Sequence, residues 1–385
     1  MIDILIQRYD RQLLIYFGLL AVLGTIMLYS ASWYESFANS NGQTDTLFLQ
    51  GHLKRLLVGL FCLLTFLILD YRRLKDVALY MIIGSIFLLL ATKLTYLAKG
   101  LGWSKPARWM YFGPFSIQTS DIARMSVLIY MAHYVDKKRD KLHDFQSGFL
   151  PAVGILTIIM SLIVVQPDFS TAVMIGILGI IILFVGGVKM SQLSLAGASG
   201  LLIGIPVLLS REYRKQRILS WFGFEDLPDV GYQAKQSLIS LGNGGVFGVG
   251  LGNSIEKNHL LPTPHTDFIF AIIGEELGFI LGTIPVITLF LLIFLRGLKI
   301  ARQCTDHFGV LLAVGISFNF ILYAFVNVAV VTGIFPVTGL PMPMVSYGGS
   351  GMVVNMALIG ILLNISQARR SLGNNRRGWS LIING

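Results

Sequence analysis

Carboxylates near residue 270 are the first candidates for chemistry in this sequence. Asp267 lies in the polar segment 261–270, and Glu275 and Glu276 follow inside an apolar stretch. Because a helix turns about 100° per residue, Glu276 lies about 180° and Glu275 about 80° from Asp267. The three do not share one helix face, which argues against a mechanism that uses all of them. A single carboxylate near basic groups can still act as a general base, provided that it contacts the hydroxyl it deprotonates.

A structural role is the alternative for these carboxylates. Thr266 or Asp267 can cap the helix that follows, since an acidic side chain in the first turn satisfies free N–H groups and complements the helix dipole. Capping does not explain Glu275 and Glu276, because a carboxylate inside a membrane helix is costly unless it finds a partner or water. Further charges of this intramembrane class are Asp121, Arg124 and Asp168.

Other catalytic chemistries find little support. The six His are scattered, and the sequence contains neither HExxH nor Asp-x-Asp, so no protein metal site is predicted. Ser346 begins the run Ser-Tyr-Gly-Gly-Ser, which is not the G-x-S-x-G of a serine nucleophile. The glycine-rich run 242–252 lacks the GK[ST] ending of a phosphate-binding loop, and tightly turned backbone at a lipid surface explains it better.

A basic cluster opens the long polar segment 210–265. Its cations are Arg211, Arg214, Lys215 and Arg217, and its aromatic residues are Trp221 and Phe222. The polar residues Gln233, Gln236 and Ser237 follow. Cations, amides and an aromatic ring suit an amphiphile whose headgroup carries phosphate and sugar. The alternative is that the Arg and Lys side chains only extend from the end of a membrane helix toward water.

The elements that must position these residues are membrane helices. Hydrophobic side chains make up 54% of the 385 residues, charged ones make up 13%, and the mean hydropathy is +0.71. Soluble domains carry about a quarter charged residues, so the chain belongs in a bilayer, and disorder, coiled coil and disulfide scaffolds are excluded. The net charge of +10 does not indicate a nucleic acid partner, because most Lys and Arg flank apolar runs.

Ten stretches are apolar enough to cross a hydrocarbon core of about 30 Å, which takes roughly 20 helical residues. They lie at 12–32, 55–69, 77–95, 119–135, 148–165, 169–188, 191–209, 266–295, 308–331 and 349–366. The first has no signal-peptide cleavage site and is expected to stay as the first helix. The sequence therefore predicts an all-α polytopic membrane protein, a single integral membrane domain over 1–385 with a transmembrane core of about 12–366.

Positive charge predicts the orientation of these helices. Lys and Arg are concentrated at both ends and in the even-numbered turns, which assigns those parts to the cytoplasm. Both termini are then cytoplasmic, the large loop 210–265 between helices 7 and 8 is extracytoplasmic, and the short basic tail 367–385 rests on anionic lipid. The segment 96–118 and the Pro/Gly-rich segment 333–351 share the outer face with that loop. No repeat relates the two halves, unlike in many secondary transporters.

Several multi-residue motifs in a fixed order resemble the SEDS family (shape, elongation, division and sporulation). They are Arg108-Trp109 followed by Gln118-x-Ser120, Gln166-Pro167-Asp168, Gly231-Tyr232-Gln233 with Gln236-Ser237, His265-Thr266-Asp267-Phe268-Ile269-Phe270-Ala271 with Glu275-Glu276, and Pro341-Met342-Pro343-Met344-Val345-Ser346-Tyr347-Gly348-Gly349-Ser350. The match runs from about residue 10 to 366. The resemblance implies a peptidoglycan glycosyltransferase with ten membrane helices, in agreement with the ten stretches.

The resemblance also implies a reaction and its residues. The 4-hydroxyl of lipid II attacks the anomeric carbon of a glycan chain held on undecaprenyl pyrophosphate, with inversion, and Asp267 matches the family's essential carboxylate as general base. Arg108, Lys257 and the basic cluster are candidates to hold the pyrophosphate, where a divalent cation, Mg²⁺ or Mn²⁺, is the one cofactor considered. The other candidates for substrate binding are Trp109, Arg214, Arg217, Gln233, Gln236, Ser237, His265, Thr266 and Ser346.

Within the family, Tyr29-Ser30-Ala31-Ser32 and Thr338-Gly339-Leu340-Pro341 are more similar to division-type than to elongation-type members. This implies a place at the division septum in the bacterial cytoplasmic membrane, with a class B penicillin-binding protein transpeptidase and other division proteins as partners. The sequence departs from the family at three places, and at one of them Phe169-Ser170 replaces Leu-Gly. Thr263 replaces a usual Glu, which puts any role of that Glu in doubt. Asp121 and Arg124 replace the common Glu and Lys but keep their i,i+3 spacing, which predicts an intramembrane ion pair.

Other functions compete with the polymerase. A lipid II flippase predicts that Asp121, Arg124 and Glu275 line a route that reaches both faces. An enzyme predicts an outward cavity that ends at Asp267, whereas a non-catalytic scaffold requires neither. An elongation-type polymerase would carry out the same chemistry elsewhere in the cell.

Overall fold

The computed structural model describes residues 9–99, 108–112, 115–223, 230–258 and 260–368, which are mostly helical. The helices are α1 (Arg11–Asn39), α2 (Leu47–Ile68), α3 (Leu74–Ala98), α4 (Thr119–Lys137), α5 (Leu150–Val165), α6 (Phe169–Val185), α7 (Met190–Leu209), α8 (Glu212–Trp221), α9 (Val230–Gly244), α10 (Ile269–Gly278), α11 (Ile284–Gln303), α12 (His307–Val331) and α13 (Ser350–Gln367). Each of the ten predicted stretches coincides with a helix, and α10 and α11 together cover the eighth.

Eight segments of the described residues are long and apolar enough to cross a membrane. They are α1, α2, α3 with the turn before it, α5 with the turn before it, α7, α10 joined to α11, α12 and α13. The apolar helix α6 is shorter, with 17 residues. The helix α4 is less apolar because it carries Asp121 and Arg124. The chain is therefore a helical, multi-pass membrane protein.

The segments between the apolar helices contain more regular structure than the sequence predicted. The expected loop 210–265 contains α8 and α9, because 212–221 is rich in helix-forming Glu, Lys, Arg and Leu and α9 packs on α10. Strands β1 (Trp109–Phe112) and β2 (Phe115–Gln118) form an antiparallel hairpin that pairs Trp109 with Gln118. The all-α prediction is wrong at this hairpin, where aromatic residues favour strands.

The helix α2 begins at Leu47 rather than at residue 55, because the polar residues of its first turns have partners inside the protein. His52 is buried, and its Nε2 lies 3.2 Å from Thr25 Oγ1 of α1. The guanidinium of Arg55 lies 4.6 Å from the ring centroid of Tyr347. His52 and Arg55 lower the hydropathy of this stretch, so the sequence predicted a later start. Their contacts with Thr25 and Tyr347 allow the helix to include them.

The glycine-rich run 242–252 packs its backbone against the junction of α10 and α11. Main-chain N–H groups of the run donate to the carbonyls of residues 275 and 276 at 2.9 Å. Gly248 (φ +80°) and Gly278 (φ +74°) approach so closely that a Cβ on either would collide with main-chain atoms. The run is tightly turned backbone, as predicted, and α10 passes there into the π-helical turn Phe279–Thr283.

The helices α12 and α13 form the most enclosed part of the bundle. Glycines permit close approach to their neighbours. A Cβ on Gly360 of α13 would lie 2.5 Å from the carbonyl oxygen of Leu63 in α2, and a Cβ on Gly24 of α1 would lie 2.5 Å from that of Met344. These contacts hold α1 and α2 against α13 and the segment 339–349, which forms a wall of the cavity described next.

Candidate active site

A cavity of about 260 Å³ lies beside Asp267. Its walls come from the hairpin segment, α4, α6, α12, α13 and the segment 339–349. The charged residues that line it are Arg108, Asp121, Arg124, Asp168 and Asp267. Charges of both signs around one cavity suit a polar, charged ligand, because an apolar ligand would leave them buried without partners.

Main-chain contacts hold Asp267 in place. Asn327 of α12 donates through Nδ2 to the carbonyl of Asp267 at 2.8 Å and to that of Leu340 at 2.9 Å. A Cβ on Gly339 would lie 3.4 Å from Asp267 Oδ2, and the φ of Gly339 is +73°. The helix α10 begins at Ile269 without a side-chain cap. The capping role considered for Asp267 is therefore wrong. Its side chain lines the cavity instead.

The surroundings of Asp267 change its acidity. Burial raises the pKa of its carboxyl, the electrostatic effects of nearby Arg217, Arg108 and His265 oppose that rise, and Asp168 adds to it. The side chain keeps some contact with the cavity, but the surrounding helices screen it from bulk water. Of the opposing effects, burial is the largest, so the pKa lies above the ordinary range. A raised pKa makes a carboxylate a stronger base near neutral pH.

Arg108 and Trp109 reach the cavity from the start of β1. The Nη2 of Arg108 donates to the carbonyl of Pro167, while its Nε has no hydrogen-bond partner within the described residues. The ring of Trp109 packs on Gly349, where a Cβ would lie 2.7 Å from ring carbon Cζ3. Gln118, which pairs with Trp109 at the same end of the hairpin, donates through Nε2 to Asp168 Oδ2 at 3.2 Å. The hairpin thus brings a cation and an aromatic ring to the carboxylates.

The predicted ion pair between Asp121 and Arg124 is present. Arg124 Nη2 lies 3.2 Å from Asp121 Oδ1 and donates to Asn355 Oδ1 of α13 at the same distance. The guanidinium lies 4.6 Å from the ring centroid of Tyr323, and Ser350 Oγ donates to Asp121 Oδ2 at 2.8 Å. Both charges line the cavity, and their contacts join α4, α12 and α13.

The basic cluster divides within α8. Arg217 Nη1 donates to the carbonyl of Val337 at 3.1 Å, and Arg217 is close enough to Asp267 to act on its charge. Arg214 is buried against Tyr213 and Phe169, and it donates through Nη1 to the carbonyl of Val207 at 3.2 Å. Of the two candidates for the pyrophosphate, Arg217 therefore lies nearer to the carboxylate.

Lys257 lies in a buried ion pair and does not line the cavity. Its Nζ lies 2.6 Å from Glu276 Oε1 and 3.3 Å from Ser30 Oγ of α1, and both charged side chains are almost completely enclosed. Ser30 Oγ also contacts Glu276 at 2.6 Å. No local sequence pattern indicates this pairing, because Ser30 lies in α1 and Lys257 and Glu276 belong to different segments. The contacts indicate a structural role for the charges of Lys257 and Glu276.

Glu275 also has partners of its own. Ser240 Oγ and Ser254 Oγ donate to Glu275 Oε2 at 2.9 and 2.5 Å, and the N–H of Ile255 donates to Oε1 at 3.1 Å. Glu275 and Glu276 thus face different neighbours, as their angular separation predicted. The partners of Glu275 lie in α9 and the segment after it, so Glu275 is not joined to the Asp121 and Arg124 pair through any described contact.

The polar residues of α9 do not reach the described lining of the cavity. Ser237 Oγ donates to the carbonyl of Val331 at 3.0 Å, and Gln236 Nε2 donates to Tyr232 Oη at 3.2 Å. Gln233 is half-buried on the same helix. Their role in substrate binding stays a prediction, and Ser237 anchors α9 to the end of α12.

The motif residues on either side of Asp267 differ in their contacts. His265 is buried, whereas Thr266 lines the cavity and donates through Oγ1 to the carbonyl of Thr263 at 3.0 Å. Ser346 also lines the cavity, but its Oγ accepts the N–H of Met342 at 2.8 Å, which closes a turn of the cavity wall. The described hydrogen bond of the Ser346 hydroxyl therefore stabilises the turn 342–346.

Sequence reasoning missed several cavity residues. Tyr323 and Asn355 line the cavity, and Asn327 fixes the main chain of Asp267. Each is a polar residue inside an apolar helix. The same feature made Glu275 a candidate, so it could have identified these residues as well. Within the described residues, no group of three or more His, Cys, Asp or Glu is placed to hold a metal ion.

Comparisons with known proteins identify the family. The family model FTSW_RODA_SPOVE, described as cell cycle protein, matches residues 10–371, and the chain belongs to that family. A probable peptidoglycan glycosyltransferase FtsW of Geobacter sulfurreducens is 37% identical over 363 residues, which cover 94% of this chain and 96% of the relative. The stage V sporulation protein E of Bacillus subtilis is 36% identical over 365 residues, 94% and 98% of the two chains.

Solved structures share the fold. A chain of a peptidoglycan synthase complex, solved to explain how polymerization and crosslinking are coordinated, aligns with a TM-score of 0.76 at 23% identity over 94% of this chain and 99% of that chain. The rod shape determining protein RodA of Thermus thermophilus aligns with a TM-score of 0.69 at 22% identity over 94% and 97%. The family resemblance predicted from the motifs is confirmed.

Proposed function

We propose that this protein is a peptidoglycan glycosyltransferase that polymerises lipid II into glycan strands on the outer face of the cytoplasmic membrane during septal wall synthesis. Its family and its FtsW relatives support the activity. The observation that carries the proposal is the Asp267 carboxylate in a cavity, with Arg108 and Arg217 close enough to act on its charge. One site then offers a base for the hydroxyl and cations for the pyrophosphate.

In the proposed reaction, Asp267 accepts the proton of the 4-hydroxyl of lipid II. The oxygen bonds to the anomeric carbon of the growing chain, while the bond from that carbon to the pyrophosphate oxygen breaks and the configuration inverts. The departing undecaprenyl pyrophosphate keeps the bonding electrons, so negative charge develops on it. Arg108 and Arg217 stabilise that charge, and their fixed hydrogen bonds to main-chain carbonyls keep them in position.

The topology belongs to the same proposal. We expect α4 and α6 to cross the membrane as well, which gives ten spans with both termini cytoplasmic and 210–265 outside. Partners for Asp121 and Arg124 inside the bundle favour a spanning α4, because they reduce the cost of its charges. A single integral membrane domain is part of the same proposal. The basic tail from 369 onward lies outside the described residues. Accessibility of single cysteines to a membrane-impermeant reagent tests each loop.

Partners and the cation complete the proposal. A class B penicillin-binding protein transpeptidase at the division septum would receive the new strands, together with other division proteins. Mg²⁺ or Mn²⁺ could bind the pyrophosphate with one or two carboxylates and water. Titration of the polymerisation rate with EDTA, followed by Mg²⁺ or Mn²⁺, tests the cation separately from the protein.

The flippase alternative receives less support. It requires Asp121, Arg124 and Glu275 along one route, whereas Glu275 contacts Ser240 and Ser254 outside the described cavity lining. A scaffold would not need a buried carboxylate among arginines. An elongation-type polymerase, like RodA, would use the same site and is separated from the FtsW type by its role in the cell.

The deciding experiment incubates the purified full chain, with its transpeptidase partner, with lipid II and separates the products on a gel. A polymerase produces a ladder of glycan strands that depends on Asp267. A protein that only moves lipid II across vesicles would yield no ladder, and that result would contradict the proposal. The transpeptidase alone and the Asp267→Asn complex are the matched controls.

A further inference from the structure

Glu35, near the outer end of α1, contacts the motif that carries Asp267. Its Oε2 lies 3.1 Å from His265 Nδ1. The His265 side chain is almost fully enclosed, whereas that of Glu35 is about a quarter exposed. No motif includes Glu35, and it lies far from residue 265 in the sequence. The first helix thus supplies a carboxylate directly to the segment that carries the general base.

His265 is held from three directions. Its ring centroid lies 4.4 Å from that of Phe48 in α2 and 5.6 Å from that of Tyr347 before α13. The N–H of Tyr347 donates to the carbonyl of His265 at 2.8 Å. Glu35 provides the third contact, from α1. The Glu35 carboxylate lies beside Nδ1 at ion-pair distance, although Nδ1 makes no directed hydrogen bond within the described residues.

The position of His265 is transmitted to Asp267 through a short, tight segment. Thr263 has a φ of +49°, and both the N–H and the Oγ1 of Thr266 donate to its carbonyl, at 3.1 and 3.0 Å. Asn327 holds the carbonyl of Asp267. These contacts leave little freely moving backbone between His265 and Asp267, so we expect a shift of His265 to change the position of the Asp267 side chain.

Stability alone gives a weak reason for this pair. A partly exposed ion pair contributes little to folding, because water screens the charges and the side chains lose entropy. The helix α1 already packs through buried apolar residues such as Leu20, Met27 and Leu28. The effect of Glu35 should therefore appear in the geometry and charge of the site more than in the free energy of unfolding.

We propose that Glu35 is a positioning residue for Asp267, acting through His265. This inference rests on the proposed polymerase function. His265 faces Glu35 of α1, and Arg55 of α2 lies over the Tyr347 ring next to it. Around Asp267 the charged neighbours are Arg108, Arg217 and Asp168. Among these groups, only Glu35 contacts the imidazole with a carboxylate within the described residues.

The position of His265 provides a readout that simple packing would not affect. Burial raises the pKa of Asp267, and the electrostatic effect of His265 is one of those that oppose the rise. If loss of Glu35 releases His265 from its place, the pKa of Asp267 rises further. Because only the deprotonated base is active, the rate increases with pH through that pKa. The acid limb of the rate profile should therefore move to higher pH.

The test compares Glu35→Ala and Glu35→Gln with the parent full-length complex in the lipid II assay. We expect kcat to fall about tenfold in the Ala variant and about threefold in the Gln variant, because small misplacements of a catalytic group are costly. KM should stay unchanged, and the acid limb should move upward in both. The matched control is Asp45→Asn, which removes a carboxylate that accepts from Tyr29 Oη near the same end of α1 and should leave the profile unchanged.

Coupling to His265 completes the test. If Glu35 acts through His265, the double variant Glu35→Ala, His265→Ala should be no slower than His265→Ala alone. Parental kcat and pH profile in the Gln variant, or losses that multiply in the double variant, would overturn the inference. If the Ala variant does not fold, the Gln variant decides. Activity in Asp267→Asn would instead contradict the proposed function, so the two failures are distinguishable.

Discussion

The N–H of Tyr347 donates to the carbonyl of His265 at 2.8 Å, which joins two sequence motifs from opposite ends of the C-terminal half of the bundle. Asn327 makes a second link, because its amide bonds the carbonyls of both Asp267 and Leu340. The carboxylate of Asp267 is thus placed by three elements before any substrate arrives. Such preorganisation reduces the cost of arranging charges at the moment of reaction.

The first prediction concerns Asp267→Asn. An amide keeps the shape of the side chain but cannot accept the hydroxyl proton, so polymerisation should fall by roughly 100-fold or more. Folding should be retained, because the carboxylate caps no helix and the main-chain contact with Asn327 is unchanged. Strand synthesis on a gel and elution on size exclusion measure the two effects. Asp140→Asn, on an exposed turn, is the control, and near-parental synthesis by Asp267→Asn would refute the general base.

The second prediction concerns pH and Arg217. Arg217 opposes the rise in the pKa of Asp267 that burial causes, so Arg217→Gln should raise that pKa further. The rate depends on deprotonated Asp267, and the acid limb of the rate profile should therefore move to higher pH. Lys215→Gln removes the same charge from an exposed position on α8 and should not move it. An unchanged limb in Arg217→Gln would separate Arg217 from the base.

The third prediction concerns Asp121 and Arg124. Removal of either partner leaves an uncompensated charge in the bundle, so each single Ala variant should lose about 3 kcal/mol or more of stability. Exchange of the two charges should recover only part of the loss, because Asn355, Tyr323 and Ser350 are arranged for the original order. Thermal unfolding in detergent measures this, with Asp140→Ala as control. Two stable, active single variants would show that the pair is not needed.

The membrane helices were predictable because lipid requires about 20 apolar residues per span and leaves a long hydropathy signal. The start of α2 was not, since His52 and Arg55 are polar by type and are accepted only because Thr25 and Tyr347 lie beside them. The composition of a segment cannot show which side chains of other helices will contact it. A helix start therefore depended on tertiary contacts that no local pattern contains.

The site was predictable where its residues belong to motifs and not where they depend on tertiary contacts. Asp267, Arg108 and Trp109 stand in motifs and line the cavity, and the spacing of Asp121 and Arg124 predicted their ion pair. The resemblance implied Lys257 as a candidate to hold the pyrophosphate, whereas its ion pair with Glu276 has no signal in the sequence. Glu35 left no signal at all, since its contact with His265 arises only when α1 packs against the loop.

The fourth prediction concerns Lys257 and Glu276. If Lys257 only neutralises Glu276, then Lys257→Met should destabilise the protein by about 3–5 kcal/mol, because a buried carboxylate loses its partner. The double variant Lys257→Met, Glu276→Leu should recover most of that stability and polymerise lipid II normally. Lys299→Met, at an exposed position of α11, is the control. A stable double variant without activity would return Lys257 to the substrate site.

The last prediction separates a division role from an elongation role. Two short motifs, at 29–32 and 338–341, resemble division-type members, and the FtsW relatives cover nearly the whole chain. Depletion of the protein in its own host should therefore block septal synthesis while side-wall growth continues, and the cells should become filaments with unseparated septa.

Time-lapse microscopy with a fluorescent cell-wall label measures both processes, and re-expression of the parent and of Asp267→Asn provides matched controls. The parent should restore division and the Asn variant should not, because septal strands require the activity and not only the presence of the protein. Rounded cells that still divide would assign the chain to the elongation type, and the chemistry at Asp267 would stand unchanged.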